Sequence, residues 1–308
     1  MRELLRLKVV MVDVWMMTMS NQSLGVWEEP QTPEQIMNEA IQKHNLDHLY
    51  VLFSGGKDSV CVAHFIATNF PKLFAGCVFT NTGLATQATR KFVIDYCKEM
   101  GWKLHMTWPS ENERYYNVVM KHGFARQGNH RLVMGYIKYH SWYYFLKEKI
   151  TNGENACFIS GVRKKESRIR DKKRLFTKKP VDTRSRFEVF VKPFLYKNGL
   201  QLWEYYNKYE LKKSPAYEWL NKSGECLCGS FTEPWELMML EKHDQMSFQT
   251  IKWMEKQIQL HGSKEAKRFS KWGIHGSHTE DIEQQKTFDD FLGEVNEDYC
   301  GESCIVAE

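Results

Sequence analysis

The sequence predicts an α/β protein in which a parallel, twisted sheet is flanked by helices. Three observations carry this prediction. Short apolar runs alternate with helical patterns over the first two thirds of the chain, as βαβ units do. A glycine pair stands between one such run and the helix that follows it, and the strand signal fades after about residue 195. Ligands of parallel sheets bind at the carboxyl ends of the strands, so this edge is where we expect function.

The first elements frame the glycine pair. A helix is predicted over residues 33–44, because apolar residues recur there at helical spacing behind a capping residue, Thr32. Residues 49–53 form a short run rich in apolar and aromatic residues, which indicates a buried strand. Two glycines follow, and helical spacing then resumes from Val60 to Ala67.

The alternation of strand and helix continues as far as residue 194. The helix at residues 87–100 carries Val93, Tyr96 and Cys97 on its inner face, and Gly101 is a favoured stop. The other elements, in order, are a strand at 74–81, a strand at 102–108, helices around 112–121 and 136–149, a strand at 156–160 and a fifth strand at 186–194.

The C-terminal part of the chain has a different pattern of apolar residues. Residues 200–211, 234–243 and 246–262 have helical periodicity, and no further strand is predicted. We therefore predict an α/β domain over residues 1–195, with 1–30 as a strand-like N-terminal extension, and a smaller helical, cysteine-bearing region over 196–308.

Composition excludes some classes of protein. The chain has 308 residues, 42% of them hydrophobic, so it can bury a core and is not globally disordered. No apolar stretch is long enough to span a membrane, and the apolar N-terminus is interrupted by Asp13 and lacks the cleavage site of a signal peptide. We expect a cytoplasmic protein without membrane association. The formal charge of +5 is too mild to identify a partner.

The segment that joins the first strand to its helix predicts an anion site. Glycines let the backbone approach a ligand closely, and the first amides of a helix are unpaired and favour an anion. Lysine adds a cation and the serines add hydroxyl donors, so a polyphosphate is the expected occupant. The residues are Ser54, Gly55, Gly56, Lys57, Asp58 and Ser59.

This loop is neither a Walker loop nor a G-x-G-x-x-G dinucleotide loop. S-G-G-K-D-S instead resembles the pyrophosphate loop (PP-loop) of the N-type ATP pyrophosphatases, whose fold is of the adenine nucleotide α-hydrolase type. The resemblance implies that ATP binds with Mg²⁺ and is cut between its α and β phosphates, while a substrate oxygen becomes adenylated. It also implies catalytic roles for Lys57 and Asp58.

A second cluster, S-G-V-R-K-K-E-S-R-I-R at residues 160–170, narrows the resemblance. It is similar to the second signature of the phosphoadenosine-phosphosulfate (PAPS) reductase-like family, and T-N-T-G-L between the two resembles that family's Asp-Thr-Gly stretch, with Asn81 in place of the aspartate. The resemblance covers residues 45–232. It implies a catalytic role for Arg163 and phosphate binding by Thr82, Gly83, Gly161, Arg163, Glu166, Ser167 and Arg168. A guanidinium suits phosphate because it grips two oxygens, and Glu166 could orient an arginine or hold Mg²⁺ through water.

The second cluster continues into a basic run. Ten residues between Arg163 and Lys179 are Lys or Arg. Such a run can be a solvated loop, can contact a nucleic-acid backbone, or can close over ATP.

The eight cysteines fall into two groups. Cys61, Cys77, Cys97 and Cys157 lie in apolar runs and are expected in the core. The other four form two close pairs, which could make one four-thiolate metal site. They also resemble a variant found in PAPS reductase-like proteins, including the DndC group of DNA phosphorothioation enzymes. A [4Fe–4S] cluster is our first expectation and Zn²⁺ the second, with free thiols or a reversible disulfide as the alternative. These residues are Cys226, Cys228, Cys300 and Cys304.

Several functions remain open at this point. The first is ATP-dependent adenylation that supports sulfur transfer to a nucleic acid, with DNA phosphorothioation favoured over tRNA thiolation and a cysteine desulfurase as sulfur donor. The second is a sulfonucleotide reductase acting on adenylylsulfate or PAPS. An enzyme like the ATP sulfurylase small subunit, or a non-enzymatic nucleotide-sensing module, are further alternatives. A homodimer is also possible.

Overall fold

The computed structural model describes residues 31–164, 179–185 and 188–273. Apart from Gln31, they belong to one compact unit that begins at Thr32. Its strands are β1 (His48–Leu52), β2 (Phe74–Thr80), β3 (Leu104–Thr107), β4 (Ala156–Ile159), β5 (Val181–Ser185) and β6 (Glu188–Val191). Its helices are α1 (Pro33–His44), α2 (Lys57–Asn69), α3 (Gln87–Glu99), α4 (Tyr115–His122), α5 (His130–Met134), α6 (His140–Thr151), α7 (Gly199–Lys208), α8 (Tyr217–Leu220), α9 (Pro234–His243), α10 (Gln245–His261) and α11 (Lys264–Arg268).

The described strands form one sheet in the order β3-β2-β1-β4-β6-β5. Neighbouring strands are parallel, except that β5 runs antiparallel to β6. The chain moves outward from β1 through β2 to β3, and then returns to place β4 on the other side of β1. The order therefore reverses between β1 and β4, and a crevice at such a reversal is the usual ligand site of an open α/β sheet.

The predicted α/β fold class is confirmed, and the sequence missed only one of the described strands. The predicted fifth strand is β6, of which residues 188–191 are described. The missed strand, β5, reads V-D-T-R-S. An edge strand with one neighbour needs no apolar alternation, so hydrophobic patterning could not find it.

Side chains of the strands alternate between two apolar layers. Leu49, Val51 and Phe53 pack in a cluster with helices α2 and α3 on one face. Tyr50 and Leu52 point to the opposite face, where they join a cluster that includes helix α6. This alternation gives three layers, with the sheet between two sets of helices. The cysteines expected in the core are fully buried: Cys61, Cys77, Cys97 and Cys157.

The predicted helices are present with small shifts of their ends. The start of α1 is fixed by a capping box, in which the Thr32 hydroxyl accepts from the Gln35 amide at 3.2 Å and the Gln35 side chain accepts from the Thr32 amide at 2.7 Å. The helix predicted at residues 136–149 is longer than expected. Helix α5 and a π-helical turn over Gly135–Tyr139 lead directly into α6.

A third apolar cluster is formed by helices and the loops between them. Helices α4, α5 and α8–α11 surround buried residues that include Leu240, Ile251 and Trp272. The Trp272 indole donates to the Leu227 carbonyl at 2.7 Å, which anchors the end of the described chain to this cluster. Helix α7 differs, because its Leu202 packs in the sheet cluster with α2. The domain boundary near residue 195 stays a prediction. No helix in the described ranges is both long and apolar enough to cross a membrane.

Replacing Phe158 by alanine should destabilise the fold strongly. Phe158 is fully buried on β4 and touches Trp142, Phe145 and Phe190. The cavity and lost burial should lower the free energy of unfolding by about 3–5 kcal/mol. Tyr144→Ala is the matched control, because Tyr144 is 60% exposed on helix α6 and should change stability by less than about 0.5 kcal/mol. Urea denaturation of both variants measures the difference, and equal losses would contradict this packing.

Candidate active site

The glycine loop lies where the sequence places it, between the end of β1 and the start of α2. Gly55 has φ +73°, a conformation that favours glycine, and a Cβ there would stand 3.1 Å from the Phe92 ring. Gly56 is the N-cap of α2 and has no side chain to cap the helix. The first amides of α2, from Lys57 onward, therefore face the carboxyl edge of the sheet without a side-chain cap from residue 56.

The two serines brace the loop from inside. The Ser59 hydroxyl donates to the Gly56 carbonyl at 2.9 Å and accepts from the Ser54 amide at 3.2 Å. The Ser54 hydroxyl accepts from the Gly56 amide at 3.3 Å and lies 3.1 Å from the Ser59 hydroxyl. These bonds hold the turn in one shape, and both side chains are buried.

A residue far along the chain fixes the peptide between the glycines. The Ser214 amide donates to the Gly55 carbonyl at 2.9 Å. In a trans peptide the carbonyl and the following N–H point in opposite directions, so this bond also sets the direction of the Gly56 amide. Ser214 is thus a loop-positioning residue that the sequence motif does not contain.

Asp58 joins the glycine loop to the segment that follows β4. Its Oδ2 accepts from both Arg163 Nε, at 3.0 Å, and Arg163 Nη2, at 2.8 Å. Its Oδ1 lies 3.2 Å from Lys57 Nζ. The three side chains are only 10–13% exposed, so water screens these charges weakly. One carboxylate therefore holds two cations at the crevice between β1 and β4.

The loop after β4 approaches the start of α2 so closely that any side chain there would press on the α2 backbone. A Cβ on Gly161 would lie 3.0 Å from the backbone carbon of Asp58 and 3.2 Å from the Ser59 nitrogen. This contact lets Arg163, two residues later, reach Asp58. The motif alone predicts Gly161 as a site residue, and this close approach is the physical reason for a glycine at that position.

The loop after β2 lies at the same edge of the sheet. Thr82 is buried and its hydroxyl accepts from the Leu84 amide at 3.4 Å, whereas Gly83 is exposed with open space around it. The Asn81 side chain accepts from the Gly83 amide at 3.1 Å. Asn81, which replaces the family's aspartate, is therefore used to shape the turn.

The first cysteine pair lies beside this β2 loop. The Leu227 amide donates to the Leu84 carbonyl at 2.8 Å, and the Thr86 amide donates to the Gly224 carbonyl at 2.9 Å. Thr89 extends the connection, because its hydroxyl bonds Ser214 Oγ at 2.7 Å and the Ser223 carbonyl. A continuous hydrogen-bonded path thus runs from the glycine loop to the cysteine segment.

Cys228 belongs to the third apolar cluster, and Cys226 packs against it. A hydrogen bond between the thiols lowers the pKa of Cys228 well below its usual range and raises that of Cys226. Cys228 Sγ also lies 3.3 Å from Ser230 Oγ and 3.9 Å from His130 Nδ1. Below the pair, Lys138 and Glu225 form a buried ion pair.

Part of the predicted site lies outside the described residues. This applies to Glu166, Ser167, Arg168, Cys300 and Cys304. Among the residues that the structure does describe, no group of three or more His, Cys, Asp or Glu side chains could hold a metal ion. The four-cysteine metal site therefore stays a prediction.

The structure adds residues that the sequence motifs did not reveal. Lys57 Nζ lies 4.8 Å from the centre of the Trp203 ring, and Lys213 Nζ lies 4.9 Å from the same ring. Trp203, Lys213 and Ser214 are more than 140 residues from the loop in sequence. The local sequence around them does not indicate a phosphate site, because it is the packing of α7 on α2 that brings them there.

A sequence model of the phosphoadenosine phosphosulfate reductase domain matches residues 48–220, more than half of the chain. The chain belongs to this family. The match spans the glycine loop, the β2 loop, Arg163 and Ser214, so the family resemblance inferred from the motifs is confirmed. The DndC-like subgroup is not.

Solved structures in the reductase and adenylyltransferase groups are similar to this chain. A PAPS reductase from Candida auris in complex with phosphate is 13% identical, with 62% of this chain and 86% of that chain covered and a TM-score of 0.45. An FMN adenylyltransferase from Candida glabrata in complex with FMN and the ATP analogue AMPCPP is 12% identical over 92% and 91%, with a TM-score of 0.43. Another structure of an FMN adenylyltransferase from Candida glabrata is 14% identical, with 61% of this chain and 57% of that chain covered and a TM-score of 0.42. No curated protein matches the chain.

Gly161→Ala should weaken nucleotide binding. The new Cβ would push the β4 loop away from the Asp58 and Ser59 backbone and loosen the Asp58–Arg163 contact. We expect an ATP dissociation constant raised about 10-fold or more, because a charge-assisted contact worth about 1.5–3 kcal/mol is disturbed. Gly199→Ala is the control, since a Cβ there meets nothing within 4 Å. Calorimetric titration with ATP measures both, and equal affinities would show that the close approach does not matter.

Proposed function

We propose that this protein is an ATP-dependent adenylating enzyme that supports sulfur transfer to a nucleic acid, with DNA phosphorothioation as the favoured reaction. The observation that carries the proposal is the crevice itself. The first amides of α2, Lys57 and Arg163 converge there around one carboxylate, Asp58. Such a constellation suits a polyphosphate with several negative charges.

The proposed reaction follows from where these charges stand. A substrate oxygen attacks the α-phosphorus of ATP, the bond to the α–β bridging oxygen breaks, and pyrophosphate leaves with the electron pair. Lys57 and the α2 amides stabilise the charge that develops on this leaving group, and Arg163 orients the phosphates. Asp58 is a positioning residue in this account, because both of its oxygens are engaged by cations.

Mg²⁺ suits this reaction as a companion of ATP. When bound it would neutralise charge on the phosphates. The Asp58 carboxylate already lies against Lys57 and Arg163, and the Asn81 amide oxygen accepts from the Gly83 amide within its own turn, so both side chains are already engaged. We therefore propose that the ATP phosphates, and not these residues, hold it.

Sulfur transfer completes the proposal. A cysteine desulfurase supplies the sulfur as a persulfide, whose outer sulfur displaces AMP from the adenylated substrate. A dithiol reductant then cleaves the resulting S–S bond, which leaves one sulfur on the substrate and releases the carrier thiol, while the dithiol becomes a disulfide. The basic run that follows Arg163 supports a nucleic-acid substrate, because the nine Lys and Arg residues from Lys164 to Lys179 can track a phosphate backbone. A cytoplasmic location and a homodimer are part of the same proposal, as is a metal site on the paired cysteines. None of the steps above depends on that metal.

A sulfonucleotide reductase is the second candidate, and the place of the cysteine pair favours it. The segment Cys226–Cys228 is hydrogen-bonded to the β2 loop, beside the crevice. In this reaction one thiolate would attack the sulfur of adenylylsulfate and displace AMP. A second thiol would then release sulfite and leave a disulfide, which a dithiol reductant would restore. The family to which the chain belongs also supports this candidate.

Lys57→Ala should abolish pyrophosphate release from ATP. Loss of a charge placed on the leaving group is worth about 10²–10³ in rate. The control is Lys91→Ala, which removes an exposed lysine of α3 that pairs with Asp95 on the surface. Assays of the wild type and both variants with single-stranded DNA, duplex DNA and tRNA measure pyrophosphate.

The same assays separate the candidates. Normal turnover by Lys57→Ala would refute the adenylation proposal. Sulfite formation from adenylylsulfate, without pyrophosphate release from ATP, would replace it with the reductase.

A further inference from the structure

Three positive side chains, those of Lys57, Arg163 and Lys213, lie at or beside the glycine loop. Lys57 and Arg163 share the single carboxylate of Asp58. Lys213 adds a third cation beside the same loop. Within residues 31–164, 179–185 and 188–273, no carboxylate lies within ion-pair distance of Lys213.

Lys213 is held at the loop by its neighbours. Ser214, the next residue, donates its amide to the Gly55 carbonyl, which fixes the backbone of Lys213 against the loop. The Lys213 ammonium lies 4.9 Å from the Trp203 ring centre and 4.8 Å from that of Tyr217. Its position is therefore set by a backbone bond and two aromatic faces.

Trp203 brings two lysines to one ring. Lys57 Nζ stands 4.8 Å from its centre and Lys213 Nζ 4.9 Å. A ring's negative face attracts each cation by about 0.5–2 kcal/mol, whereas the two ammonium groups repel each other. An anion bound beside this ring is attracted by both charges. Trp203 is half-exposed, so the anion can reach the lysines from solvent.

Lys212, the preceding residue, shows that this arrangement is specific. Its side chain forms an ion pair with Glu99 on the surface, and both partners are more than half exposed. The two adjacent lysines therefore have different environments. Lys212 pairs with a carboxylate, whereas Lys213 lies against two aromatic rings beside the glycine loop. Lys212 is therefore a matched control for Lys213.

We propose that Lys213 and Trp203 form a subsite for the two outer phosphates of ATP, and hence for the pyrophosphate leaving group. Lys213 is a binding residue that donates to a phosphate oxygen, and Trp203 is a positioning residue that holds Lys57 and Lys213 toward it. This proposal rests on the proposed use of ATP. It predicts that AMP, which lacks both outer phosphates, does not use the subsite.

Calorimetric titration of the full-length chain with Mg²⁺–pyrophosphate, ATP and AMP tests the subsite. Lys213→Ala should weaken pyrophosphate and ATP binding about 10-fold or more, as the loss of one charge-assisted hydrogen bond does, and leave AMP binding unchanged. Lys212→Ala should bind all three as the wild type does, and Lys213→Arg should restore most of the pyrophosphate affinity. Trp203→Phe should retain pyrophosphate affinity, and Trp203→Leu should lower it.

The outcomes separate this inference from the proposed function. If the wild type and Lys57→Ala bind neither ATP nor pyrophosphate, both fail. If Lys57→Ala loses pyrophosphate but Lys213→Ala binds it as the wild type does, only the subsite fails. An equal loss of AMP and pyrophosphate by Lys213→Ala would show a general disturbance of the loop and would also overturn the subsite. Equal pyrophosphate affinities of Trp203→Phe and Trp203→Leu would remove Trp203 from it.

Discussion

The contact between Asp58 and Arg163 is the interaction on which the rest of the site depends. Asp58 belongs to the first turn of α2, and Arg163 follows β4. Without the carboxylate, Arg163 and Lys57 would face each other as two nearly buried like charges, which is costly in a medium that screens poorly. With it, the phosphate-binding groups of two separate loops are held together before any nucleotide arrives.

A second set of contacts extends this arrangement to the rest of the protein. Ser214 orients the glycine loop from outside, and Thr89 connects Ser214 to the segment that carries Cys226 and Cys228. The helices after residue 195 therefore contribute to the crevice through backbone bonds and through Lys213. This explains how a chain whose two phosphate-binding motifs lie at residues 54–59 and 160–170 can use residues after 195 to complete a nucleotide site.

Much of the fold and the centre of the site could be predicted from the sequence, for identifiable reasons. Buried parallel strands are continuous apolar runs, and the strand–glycine–helix junction is local in sequence, so β1, α2 and the loop were found correctly. The polar edge strand β5 carries no such pattern. Lys213 and Trp203 were missed because tertiary packing alone brings them to the loop. The sequence also does not show that Ser54 and Ser59 bond the backbone of the loop itself.

A double-mutant cycle on Asp58 and Arg163 tests the central claim most directly. The free energy of unfolding is measured for the wild type, Asp58→Asn, Arg163→Gln and the double variant. If the carboxylate joins the two loops, the two changes should couple by about 1–3 kcal/mol, with the double variant less destabilised than the sum of the single ones. Additivity within about 0.3 kcal/mol would mean that the two loops are held together by something else, and would contradict the account.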